Sequence, residues 1–193
     1  MTKWLRPFAF VSAIAASAPA LAHPGHPLAD SGLLSGLLHP MLGLDHLLTM
    51  LMVGLWAAQL GGRARLWVPA SFLALMLVGA GLAMAGWMPP HMESGIAVSL
   101  IVGGLLVAMA LRLSMLPAAA LVGVFAVFHG AAHGAELPAT ASPVLYGAGF
   151  LLATGTLHLA GGLIGTAQSR AWTLAARAGG VLAATLGCVL ALA

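Results

Sequence analysis

Length without charge is what constrains this sequence most. Six apolar stretches, each close to the ~20 residues that cross a hydrocarbon core, follow one another with only short breaks. The first includes "GLDHLLTMLMVGLWAAQL", preceded by a lead-in, "LLSGLLHP". The others are "LWVPASFLALMLVGAGLAMAG", "SGIAVSLIVGGLLVAMAL", "LPAAALVGVFAVFHGAAHG", "PVLYGAGFLLATGTLHLAGGLIG" and "AWTLAARAGGVLAATLGCVLALA". Backbone groups in lipid find no water, so segments of this length satisfy their hydrogen bonds internally, as helices. Only 6% of the residues are charged, against about 25% in a soluble domain, too few to cover a surface facing water. The expected fold is all-α: a polytopic helical membrane bundle of about six transmembrane helices, forming one domain over residues 23–193.

A secretory signal is expected ahead of that bundle, over residues 1–22. Lys3 and Arg6 give a charged start, "PFAFVSAIAASAPALA" an apolar centre, and Ala20-Leu21-Ala22 a small-x-small cleavage site. Cleavage would start the mature chain at His23, outside the cytoplasm. With six spans the connection holding Arg63 and Arg65 then falls inside, as do Arg112, Arg170 and Arg177. The outer connections "WMPPHME" and "GAELPATAS" hold no Lys or Arg. This is the charge bias of a multi-pass protein of the bacterial inner membrane with a periplasmic N-terminus. The weakest part of the pattern is the first span, where Pro40 and Gly43 suit a broken or re-entrant helix.

Composition closes off several function classes. Seven basic residues scattered along the chain make a net charge of +3 but no basic patch, so nucleic-acid binding has no footprint. The lone cysteine, Cys188, cannot form an intrachain disulfide or a thiolate metal site, and in its apolar run it reads as a small packing or lipid-facing residue. The abundant Gly reads as close helix packing.

Against this background the polar residues concentrate in two places. "HPMLGLDH" carries His39, Asp45 and His46, and "HGAAHGAE" carries His129, His133 and Glu136. Ionisable groups are costly inside a membrane, so each is a functional candidate. His129 and His133 are i,i+4 on one helix face, a two-ligand unit for a divalent metal, and Glu136 continues the stripe. Bending at Pro40 and Gly43 is expected to bring His39 towards Asp45 and His46. Both groups fall at outer helix ends and so can converge on one periplasm-facing site. Imidazole plus carboxylate suits Ni, Co, Zn or Fe and disfavours Cu(I). Ligation needs deprotonated donors, so uptake is expected to fade as pH falls through the histidine range.

The remaining histidines read less sharply. His158, alone in "LATGTLHLAGG", suits a packing role or a further ligand equally. His23 and His26 form either a chelating start to the mature chain or a solvated tail. His91 and Glu93 read as a solvated outer turn. The two halves of the chain are also compatible with an inverted three-plus-three repeat.

The chain resembles the HupE/UreJ family of nickel/cobalt permeases. "HPMLGLDH" is similar to the family's HPxxGxDH, carried by His39, Pro40, Gly43, Asp45 and His46. "FHGAAHGAE" is similar to its FHGxAHGxE, carried by Phe128, His129, Gly130, Ala132, His133, Gly134 and Glu136. The resemblance implies a secondary permease, not an enzyme, with no resident cofactor and the lipid bilayer and a divalent ion as partners. Its cargo would be Ni²⁺ first and Co²⁺ second. No Gly-x4-Gly-Lys-Ser/Thr phosphate loop occurs. Competing readings are a membrane metal-binding accessory protein, a membrane metalloenzyme using the same cluster, and a proton or other ion path.

Overall fold

The computed structural model describes residues 32–167 and 169–193; the signal segment, His23 and His26 lie outside the described residues. These form seven α-helices: α1 (Gly32–Leu42), α2 (Leu44–Leu60), α3 (Ala64–Met84), α4 (Met92–Met109), α5 (Met115–Ala135), α6 (Pro143–Thr166) and α7 (Arg170–Leu192). The last five match the second to sixth apolar stretches, and each is long and apolar enough to cross a membrane. The first stretch is broken. α1 and α2 meet at Gly43 with an 85° bend and together make the sixth candidate span. The chain is a multi-pass membrane protein.

The break follows from its residues. Gly43 caps α2 in an extended conformation (φ −96°, ψ 117°). A methyl group there would sit 2.9 Å from the Asp45 carboxylate and 3.3 Å from the His46 ring. Glycine thus leaves room for the two polar side chains that open α2.

The bundle is assembled from close helix pairs. α3 lies chiefly along α5, α4 along α7, and α6 along both α1 and α2. At Gly130 a Cβ would run into the Met76 carbonyl of α3, so the backbones of α3 and α5 meet directly beside the histidines of α5. Trp56, Phe72, Met50, Met76, Leu100 and Val107 fill the interior. Buried Trp56 donates its indole N–H to the Leu111 carbonyl at 2.8 Å, satisfying a donor that would otherwise be stranded. The outside is as apolar as the inside: Leu159 is 71% exposed and Leu163 73%. Rows of bare leucine suit lipid, not water.

Arg63 and Arg65 flank the start of α3, Arg112 joins α4 to α5, and Arg170 and Arg177 open α7. In helices that alternate in direction these positions share one end. Arg177 caps a carbonyl there, its Nε donating to Ala108 at 2.8 Å. The break at Gly43, the C-terminus of α5 and the N-terminus of α6 occupy the opposite end. Cys188 is exposed on α7, and His91 and Glu93 are exposed where α4 begins.

Candidate metal centre

The end away from the arginines gathers both polar groups. The ring centres of His46 and His133 lie 4.5 Å apart, those of His46 and His129 4.7 Å, and those of His39 and His133 4.8 Å. His39 takes a different partner from the one its sequence neighbours suggest. It crosses to α5, where its Nε2 lies 2.9 Å from Glu136 Oε2. The reason is the bend: His39 is on α1, before the break, whereas Asp45 and His46 open α2 after it. Glu136 caps the end of α5, and its carboxylate also lies 3.8 Å from His133 Nδ1.

Exposure falls steeply across the cluster. Glu136 is 53% exposed and His39 30%, His46 12% and His133 3%, and His129 is fully buried. Two sets of three donors follow that gradient. His39, His133 and Glu136 form a shallow set; His46, His129 and His133 form a deep one. Within each set the donor atoms lie within 4.8 Å of one another, and modest side-chain closure brings such atoms to metal-bond distance. His133 belongs to both.

The deep set is held by hydrogen bonds that decide which nitrogens are free. Asp45 Oδ1 accepts from the His46 backbone N–H at 2.8 Å and lies 2.9 Å from His46 Nδ1. The carboxylate accepts the Nδ1 proton, leaving a lone pair on Nε2, which is buried without a hydrogen-bond partner among the described residues. Asp45 therefore stands behind His46, as carboxylates stand behind metal-binding histidines. His129 is fixed from the other side. Ser99 Oγ lies 2.6 Å from the Ile96 carbonyl and 2.8 Å from His129 Nε2. The carbonyl can only accept, so the hydroxyl donates to it and receives the Nε2 proton. That leaves His129 Nδ1 as the acceptor, and it too is buried and unpartnered. Both His133 nitrogens are buried without a hydrogen bond among the described residues.

Ser99 has no counterpart in either sequence motif. Its signal in the sequence is a hydroxyl in the apolar interior of the span, one turn and more beyond Glu93 and Ser94. The aromatic walls were equally silent: Phe150 lies 3.9 Å from the His133 ring centre, and Phe72 lies 5.8 Å from His129. Phe72 also touches His158 at 5.2 Å. His158 is buried with both nitrogens unpartnered among the described residues, but belongs to neither donor set.

Two cavities border the cluster. A cleft of about 240 Å³ reaches His133 between α3, α5 and α6, lined by Met76, Ala80, Met84, Tyr146 and Phe150. Apart from His133 and the Tyr146 hydroxyl, the side chains that line it are apolar. A void of about 20 Å³, room for one water, lies against Thr49 and Ser99 and is also lined by Trp56, Phe72 and Phe125.

Residues 9–190 match the family model described as HupE / UreJ protein. The chain belongs to the HupE/UreJ family. Protein HupE of Rhizobium leguminosarum bv. viciae is 42% identical over 173 residues, covering 89% of this chain and 91% of that protein. No solved structure matches. Membership in HupE/UreJ thus rests on nearly the whole chain, including both polar motifs.

Proposed function

We propose that this protein is a secondary permease of the bacterial inner membrane that imports a divalent transition metal, Ni²⁺ first and Co²⁺ second. One observation carries the reading: buried ring nitrogens of three histidines converge without hydrogen-bond partners among the described residues. Leaving a buried polar atom unpaired costs about 1–3 kcal/mol. A bundle that keeps such atoms around one point, two of them oriented by Asp45 and Ser99, is arranged for a cation. Neutral nitrogen donors with carboxylates beside them, and no thiolate, suit Ni²⁺ and Co²⁺. Asp45 and Glu136 offset the ion's charge once its water is lost. The site lies at the end away from the arginines, so it faces the periplasm when the arginine-rich connections face the cytoplasm. Family membership supports the same reading through the resemblance to nickel/cobalt permeases.

The test is accumulation of radiolabelled nickel by cells expressing the chain, beside the His129→Ala/His133→Ala double variant at equal membrane level. Wild type is expected to accumulate nickel and the double variant to match empty cells. Equal accumulation by both would remove the cluster from the path. A membrane accessory protein is the second reading, since the same cluster could bind an ion and hand it to a partner. It differs in giving nickel binding without accumulation.

A further inference from the structure

We infer that the cluster is two stations in series, not one six-ligand site, and that His133 is the shared ligand that passes the ion between them. This inference rests on the permease reading.

Three observations carry it. The two donor sets differ in access: Glu136 and His39 are open to the outside, whereas His129 is fully buried. They differ in construction. In the shallow station His39 and Glu136 bond to each other across 2.9 Å, a contact that an arriving cation replaces. In the deep station the donors are already presented, His46 Nε2 by Asp45 and His129 Nδ1 by Ser99. Finally, they overlap at one residue, His133. A neutral imidazole has one lone pair to give, so His133 serves one ion at a time. The stations are alternatives, and occupancy of one empties the other.

The sequence of events follows from those constraints. A hydrated ion meets Glu136 first, because it is the most exposed donor and carries charge. His39 joins, its ring proton exchanging through solvent to free a nitrogen. His133 completes the shallow station. With His133 still bound, the ion exchanges His39 and Glu136 for His46 and His129. No step leaves it without a protein ligand. The carboxylate thus acts in capture, and the buried imidazoles set the resting affinity.

The experiment uses the purified full chain in lipid nanodiscs with Ni²⁺, reading stoichiometry by calorimetry and association by stopped flow. Wild type is expected to bind one ion. Glu136→Gln and His39→Ala should slow association by about 10-fold or more while equilibrium affinity moves by less than about 3-fold. His129→Ala and His46→Gln should weaken affinity beyond the roughly 10–100-fold that loss of an orienting partner costs, with association still fast. His46→Gln carries the deep-station arm should His129→Ala not fold. Two ions bound at once, or the same joint loss of rate and affinity in every variant, would overturn the relay and leave a one-site permease standing. No nickel or cobalt binding by folded wild type would overturn both readings.

Discussion

At the scale of residues, the proposed centre depends on side chains that touch its ligands as much as on the ligands. Ser99 is the sharpest case. Its hydroxyl is committed to the Ile96 carbonyl, so it can only receive the His129 Nε2 proton. Ser99→Ala removes that acceptor and lets the imidazole rotate or change tautomer. We expect nickel affinity to fall by about 10–100-fold, with membrane level unchanged and Ser99→Thr restoring most of the affinity. Titration of purified protein checks this, and affinity unaltered in Ser99→Ala would show that His129 holds its orientation without the serine. Much of the cluster was legible in the sequence because helix spacing is local: i,i+4 places His129 and His133 on one face. What lay beyond reach was non-local. No spacing rule sends His39 across to Glu136 on α5, or brings Ser99 from α4 to His129. Asp45 was legible as a participant; its place behind His46 depends on the turn at Gly43.

At the scale of elements, the helices themselves were the easiest part, since ~20 apolar residues admit little else in lipid. Pro40 and Gly43 marked the break between α1 and α2, but not its 85° angle, which depends on how α6 receives both pieces. The tight α3–α5 contact gives the clearest consequence. Gly130 lies between the two α5 histidines, and its Cα faces the Met76 carbonyl. A larger side chain must push α5 away from α3 and carry His129 and His133 with it. Gly130→Val is expected to lower thermal stability and to abolish high-affinity nickel binding, although it removes no ligand. A variant that folds and binds nickel as wild type does would mean the helix pair does not set the position of the cluster.

At the scale of the whole molecule, helix pairing has the form of an exchange. Counting α1 and α2 as the first span, swapping spans one, two and three for four, five and six turns the α3–α5 pair into α2–α6 and leaves α4–α7 in place. These tight pairings fit an inverted three-plus-three plan, whereas the contacts of the first span with the second and third have no comparable counterpart between the fourth span and the fifth and sixth. The polar motifs do not obey the exchange either, for one straddles the break inside its span and the other closes its own. They meet because these two spans run in opposite directions, which puts all their donors at one end. Beside the cluster Trp56, Phe72 and Phe125 line a small void together with Thr49 and Ser99. The most direct measurement is nickel influx into proteoliposomes containing only the purified chain, driven by an imposed nickel gradient without ATP. Wild type should fill the vesicles and the His133→Ala variant should not. Vesicles that stay as empty as protein-free ones, while the same wild-type protein binds nickel, would contradict the permease and leave a metal-binding accessory in its place.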